Sequence, residues 1–344
     1  MLIRIHQYLI RKLIFFSNLF IKKNPNPIRW GIIGLGNMAQ VMSNTLNSNK
    51  DATLSAVASR SSKKAKLFAK NNGGCRFYGN YLEMLTDSSL SLDIIYIATP
   101  VMQHYDIIKV CLLNGKNVLC EKPITSDVNE LKELILIAKE NDCFLMEGMW
   151  MKCLPTFRKA LELINMGKIG EVELIKANFY KKEVIKPDLS IYKKEKGGGV
   201  LLDYGIYAIA FMTTFLKGAP EILKYNNRIS TFGIDSDWNI YAKKDEVKAF
   251  INISSNFESQ SKALVIGKKG SIEWDSQFNR TNKITLFDSY GNIIKKFIFN
   301  YKHQGFNFEV DEVTHCLKYG KKESQMVPLN ETLDTLFTIN QLTT

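Results

Sequence analysis

The segment Gly34-Leu35-Gly36-Asn37-Met38-Ala39 limits what this chain can fold into more than any other stretch. It follows a short apolar run, Ile28-Arg29-Trp30-Gly31-Ile32-Ile33, and opens a stretch with helical periodicity that reaches about Leu46. A glycine turn therefore joins a buried strand to a helix. In that setting Gly34 permits the tight turn, Gly36 lets a pyrophosphate approach the backbone, and Ala39 is small enough for close helix-to-strand packing. The helix start, at Asn37 and Met38, then faces the phosphates with its amides. Strands read over 53–58, 92–98, 117–120 and 144–146, and helices over 62–70, 104–114 and 127–141. This alternation predicts an α/β fold whose first half is a doubly wound parallel sheet binding a dinucleotide.

The end of the second strand discriminates between dinucleotides. A site selective for NAD places Asp or Glu there, about 20 residues after the glycines, to accept both ribose hydroxyls. This chain has Ser59-Arg60-Ser61-Ser62-Lys63 instead. Arg60 can pair with a 2′-phosphate and stack on adenine, and Ser59 and Ser61 can donate hydrogen bonds. The expected cofactor is NADP in preference to NAD.

Composition narrows the remaining classes. The chain has 344 residues, 45% hydrophobic and 23% charged, which predicts about two globular domains with no apolar run long enough to span a bilayer. A net charge of +12 invites a nucleic-acid reading, yet Arg4, Arg11, Lys12, Lys22 and Lys23 all lie in the first 27 residues, which contain no acid. The later lysine clusters match no nucleic-acid-binding pattern and read as solvated surface. Residues 1–27 end in Asn24-Pro25-Asn26-Pro27, a linker signal, and read as a basic extension. Two readings of it stand: a segment touching a membrane surface, or a frayed extension ahead of the first domain. Cys75, Cys111, Cys120, Cys143, Cys153 and Cys316 are scattered without metal-ligand spacing, so no metal site or disulfide framework is expected and a cytoplasmic location fits.

Further along stand Thr99-Pro100 with His104, the tripeptide Glu121-Lys122-Pro123, and Gly197-Gly198-Gly199-Val200-Leu201-Leu202-Asp203-Tyr204-Gly205-Ile206-Tyr207. With the glycine motif, in this order, they resemble the glucose-fructose oxidoreductase/inositol dehydrogenase/MocA-like (Gfo/Idh/MocA) family. Glu147-Gly148-Met149-Trp150, followed by Leu154-Pro155, looks most like its dimeric dihydrodiol dehydrogenase and NADP-dependent D-xylose dehydrogenase branch. The resemblance implies that Thr99, Pro100, His104, Glu121 and Lys122 border the cofactor. It also implies a cis Lys122-Pro123 bond, and it maps the family's lysine, aspartate and His-or-Tyr positions onto Lys122, Asp203 and Tyr207.

The residue chemistry agrees with that map. Lys122 lies at the carboxyl end of a parallel strand, where ligands of open sheets bind, and its ammonium can polarise a carbonyl or steady an alkoxide. Asp203 and Tyr207 are four residues apart in what reads as a helix, so they share one face. Tyr207 can supply the proton that accompanies a hydride once nearby positive charge lowers its pKa, and Asp203 can orient the site or bind a substrate hydroxyl. Trp150 reads either as a wall of the nicotinamide pocket or as core, and Lys152 as a substrate contact. Lys152 and Cys153 replace the branch's usual Arg and aromatic, and Gly148 its usual Ala, which leaves substrate choice open.

After Pro155 a helix over 156–165 and strands over 173–180, 238–242, 247–254, 263–266, 271–274 and 284–287 predict a second α/β domain with a large, mainly antiparallel open sheet. Helices over 306–319 and 329–342 close it. The expected division is a 28–148 NAD(P)-binding domain and a 149–344 substrate-binding domain, whose sheet face the family covers by forming a homodimer or higher homo-oligomer. The predicted activity is hydride transfer between NADP and a sugar, polyol or diol carbon. The alternatives are a nucleotide-sugar ketoreductase of polysaccharide synthesis and a non-catalytic NADP-sensing regulator.

Overall fold

Two sheets organise the computed structural model, which describes residues 26–182, 198–231, 233–301 and 305–343. Most of the basic extension, and Gly197 of the glycine run, lie outside the described residues. The first sheet is built from β1 (Ile28–Ile33), β2 (Ala52–Ala58), β3 (Arg76–Tyr78), β4 (Ile94–Ile97), β5 (Val118–Glu121) and β6 (Leu145–Gly148). Its order is β3-β2-β1-β4-β5-β6 and every pairing is parallel. Strand order reverses between β1 and β4, which opens a crevice at the carboxyl ends of the strands. Both faces are covered, by α1 (Asn37–Ser48), α2 (Ser62–Asn71), α3 (Tyr81–Thr86), α4 (His104–Leu113) and α5 (Val128–Glu140). The central strands are therefore apolar without alternation, and all four residues of β4 are buried.

A short helix α6 (Trp150–Cys153) and α7 (Pro155–Asn165), which has Pro at its first position, lead into the second sheet. That sheet is built from β7 (Val172–Tyr180), β8 (Glu221–Ile229), β9 (Asp235–Lys244), β10 (Val247–Ser254), β11 (Ala263–Gly267), β12 (Gly270–Trp274), β13 (Lys283–Asp288) and β14 (Ile293–Ile298). The order is β14-β13-β12-β11-β7-β10-β9-β8, with β7 and β10 parallel and all other neighbours antiparallel. Between β7 and β10 the chain makes a π-helical turn at Leu201–Gly205 and then α8 (Ile206–Leu216).

Every residue of α8 is buried. A helix apolar on all sides must be enclosed, and α8 lies between the inner face of the sheet and α10 (Leu329–Thr343). Phe211 is at the centre, with ring centroids 4.6 Å from Phe215 and 4.8 Å from Trp274. The last two helices tie the sheets together. α9 (Phe306–Lys318) packs on α1 and α6, and α10 on α5 and β6, where Asn340 accepts the Val128 N–H at 3.1 Å. The opposite face of the second sheet is open and mixed in polarity, with Tyr241 stacked on Phe250 at 4.7 Å. Among the described residues no helix is long and apolar enough to cross a membrane. Cys75 is half-buried and the other five cysteines are buried, all as free thiols.

Truncating Phe211 removes the ring that joins α8 to the sheet. We expect Phe211→Ala to lower unfolding free energy by about 3–5 kcal/mol in urea titration, without changing the element content seen by circular dichroism.

Candidate functional site

The carboxyl ends of β1, β2, β4 and β5 open onto one cleft of about 1310 Å³, closed on its far side by the second sheet and the π-helical turn. At its near end Gly34 has φ +87, and a Cβ there would stand 2.7 Å from the Ala98 carbonyl oxygen, so the turn needs glycine. Gly36 starts α1 with no side-chain cap, and a Cβ on it would meet nothing within 4 Å. The first-turn amides of α1 thus open onto empty space beside Asn37 and Met38, whereas Ala39 is buried against the strand. Thr99 Oγ1 is buried and has no protein partner, and Pro100 follows it along the wall. A glycine cradle, uncapped amides and an orphaned hydroxyl fit a pyrophosphate and its ribose.

Ser59 and Arg60 border the same end, with Lys64, Asn80 and Tyr81, which no sequence motif marked. Ser61 is used locally: its hydroxyl caps α2 by accepting the Lys64 N–H at 3.3 Å. Arg60 is exposed and makes no ion pair among the described residues.

His104 and Glu121 both line the cleft, but their polar groups are held by other parts of the protein. His104 is buried, with Nδ1 2.9 Å from the Pro123 carbonyl and Nε2 2.8 Å from the Thr99 carbonyl. Burial lowers its pKa against the pull of both carbonyls, and in the neutral form its single N–H donates to one of them, fixing that loop. The Glu121 carboxylate is taken up by the Tyr96 hydroxyl at 2.5 Å and the Lys122 N–H at 3.3 Å, and borders the cleft only at its base. Lys152 is a clearer departure. It lies outside the cleft, its Nζ 2.7 Å from Glu331 of α10, with Thr214 donating to the same oxygen at 2.9 Å. The α6 turn points it inward, where it ties α6 to α10 away from the cleft.

Lys122, Asp203, Tyr207 and Trp150 do come together. The Lys122-Pro123 bond is cis, as the resemblance implied. Lys122 Nζ donates to the Asp203 carbonyl at 2.6 Å and to Asp203 Oδ1 at 3.0 Å, and stands 5.3 Å from the Tyr207 ring centre. Burial alone would lower the lysine pKa, but Asp203 and Tyr207 outweigh it and hold the ammonium charged. Trp150 Nε1 donates to the Tyr207 oxygen at 2.9 Å while its ring stacks on Phe306 at 4.4 Å. An indole N–H only donates, so the phenol keeps its own proton available to the cleft. Trp150 is thus both wall and hydrogen-bond partner. Burial pushes Tyr207 up to about 12, against the pull of Lys122, which corrects the expectation that the nearby charge would bring it down. The helix expected to carry Asp203 and Tyr207 also starts as a π turn, a wider winding often found at functional sites.

The far end of the cleft is formed by the ends of β7, β10 and β12 and the loops after them. Phe179 stacks on Tyr204 at 5.5 Å and on Tyr207 at 6.0 Å, and Ser261, Gln277, Asn279 and Arg280 add polar groups. The sequence marked none of these polar positions, because loops between antiparallel strands carry no periodic signal.

Residues 28–149 match "Oxidoreductase family, NAD-binding Rossmann fold", and residues 157–273 match the GFO/IDH/MocA C-terminal domain. The chain is 32% identical over 314 residues to a trans-1,2-dihydrobenzene-1,2-diol dehydrogenase of Xenopus tropicalis, covering 88% of this chain and 92% of that one. The chain belongs to the Gfo/Idh/MocA oxidoreductase family. The human dihydrodiol dehydrogenase is 28% identical over 313 residues with the same coverage. Among solved structures, the oxidoreductase shares its fold with the KijD10 3-ketoreductase of Actinomadura kijaniata, crystallised with NADP and TDP-benzene (TM-score 0.80, 23% identity, 90% of this chain and 95% of that). It shares it also with the aldose-aldose oxidoreductase of Caulobacter crescentus (TM-score 0.82, 20% identity, 92% and 97%).

The base of the site carries a further carboxyl, Glu147, which accepts the Ile124 N–H at 3.1 Å. Burial raises it from 4.5 to about 7, only partly offset by that amide. The folded state therefore holds this proton to higher pH than the unfolded chain, and its stabilising contribution is lost as pH rises from 4.5 through about 7. The shift corresponds to about 3 kcal/mol. Glu147→Gln should flatten the fall in melting temperature between about pH 5 and pH 8 in thermal denaturation.

Proposed function

We propose that this oxidoreductase moves a hydride between the nicotinamide of NADP and a carbinol or carbonyl carbon of a small diol, sugar or polyol. When bound, the nicotinamide supplies or accepts the hydride. The observation that carries the reading is the convergence of a charged Lys122, a protonated Tyr207 and Asp203 at the mouth of a dinucleotide cradle. The dihydrodiol dehydrogenase relatives favour a vicinal diol as the substrate class.

In this reading Lys122 holds the substrate oxygen and stabilises negative charge on it as hydride leaves or arrives. Asp203 fixes the lysine's direction. Tyr207 passes the proton: it donates its O–H to the nascent alkoxide in reduction and takes the proton back in oxidation. The phenolate left after donation is stabilised by the Trp150 N–H and the Lys122 ammonium. Raised to about 12, Tyr207 stays protonated near neutrality, so the proton for the nascent alkoxide is in place. The halves expected from the sequence, 28–148 for the nucleotide and 149–344 for substrate, take these roles. The open face of the second sheet, with Tyr241 and Phe250, is the surface assigned to pairing of two copies.

The test is nicotinamide absorbance with NADP or NAD and a panel of diols, aldoses and polyols. Lys122→Ala and Tyr207→Phe should each lower kcat by about 10²–10⁴-fold while cofactor binding, followed by fluorescence, is unchanged. Turnover equal to wild type in both variants would overturn the assignment. Arg60→Ala should raise KM for NADP by about tenfold or more and leave KM for NAD unaltered, the effect of losing one charge-assisted contact to a phosphate.

A further inference from the structure

Asp203 and Tyr207 are presented by a segment that does not cap itself. Neither the π turn at Leu201–Gly205 nor α8 has a side-chain cap from its own flanks. The cap comes from a different strand. Asp235, the first residue of β9, places Oδ2 2.7 Å from the Leu201 N–H and 2.7 Å from Trp238 Nε1. Its other oxygen sits directly over Gly199, where φ is +126 and a Cβ would stand 2.0 Å from Oδ1. Gly199 is thus fixed as glycine both by its backbone and by the carboxylate above it. One turn on, the Gly199 carbonyl accepts the Asp203 N–H at 3.3 Å, and Asp203 in turn receives Lys122 through its carbonyl and its carboxylate.

We infer that Asp235 is a positioning residue for the reaction: its carboxylate pins the start of the π turn to β9 and so sets how far Asp203 and Tyr207 stand from Lys122 of the other sheet. The inference rests on the oxidoreductase reading for its kinetic consequence, but not for the geometry it asserts. A carboxylate at the first amides of a helical segment satisfies donors that would otherwise be orphaned and favours the negative end of the interaction with the helix dipole. Because Lys122 follows β5 of the first sheet and Tyr207 lies on α8 against the second, a small retreat of the turn separates the groups that must act together, which is costly in rate.

Asp237, two residues along β9, supplies the control. Its carboxylate is held by Ser254 at 2.5 Å, Asn256 at 2.5 Å and Ser236 at 2.9 Å, and it does not border the cleft. Asp237→Asn removes the same charge from the same strand end without touching the π turn. The experiment compares Asp235→Asn, Gly199→Ala and Asp237→Asn in the full chain by two readouts: steady-state kinetics, and the rate at which acetic anhydride labels Lys122, followed by mass spectrometry. We expect Asp235→Asn to lower kcat by about tenfold or more with KM for the cofactor unchanged, and to speed Lys122 labelling severalfold as Asp203 releases the ammonium. Gly199→Ala, which keeps the carboxylate and pushes it aside, should do the same, and it carries the test if Asp235→Asn does not fold. Asp237→Asn should lower melting temperature and change neither readout. Wild-type kcat and labelling in both Asp235→Asn and Gly199→Ala would overturn the inference, as would equal changes in Asp237→Asn. A wild-type chain inactive on every diol and sugar would defeat the functional reading alone, since Lys122 labelling still decides the geometry.

Discussion

The contact between Lys122 and Asp203 joins the two sheets at the point where chemistry is assigned, and much of the surrounding structure serves to keep it in place. The lysine comes from the end of β5 and the aspartate from the turn ahead of α8, so neither sheet alone forms the site. An ammonium buried without a partner would lose its charge; beside a carboxylate and a backbone carbonyl it keeps it. The helices that return from the second half to the first, α9 and α10, hold the two lobes at the separation this contact demands.

Behind that pair lies a layer of polar groups whose bonds are satisfied inside the protein. His104 packs between the Thr99 and Pro123 loops, Tyr96 holds Glu121, and Lys152 joins α6 to Glu331, which Thr214 also bonds. These residues sit close to the cleft and carry chemistry-bearing side chains, yet their functional groups point at protein. They fix the backbone from which Lys122 and Trp150 project, which is a condition for catalysis by preorganised charge.

Most of the first sheet was legible in the sequence because its signals agreed: glycines at the turn, apolar strands and amphipathic helices. That Lys122, Asp203 and Tyr207 converge was legible through their motifs. β8 and β14 were not read, since their residues are almost all exposed and show no alternation, and β3 and α3 are too short to carry a period. Lys152 was misplaced because direction depends on a four-residue helix whose rotation no local pattern fixes. The Tyr207 pKa was misjudged in sign because proximity of a charge can be inferred from motifs, whereas the depth of burial that outweighs it depends on Trp150, Phe179 and Phe306, which come from three distant parts of the chain.

The single parallel pairing in the second sheet, between β7 and β10, has an evolutionary corollary. Two parallel neighbours require a long crossover, and here that crossover contains the π turn and α8. The segment that presents Asp203 and Tyr207 is therefore the same one that lets β10 pair with β7. A lineage that no longer needs the reaction cannot discard this segment as a dispensable module; it can only exchange side chains upon it. Relatives that have abandoned catalysis would then keep the whole architecture and differ at a few positions of one helix, so overall likeness to this chain is a poor guide to whether a relative still turns over substrate.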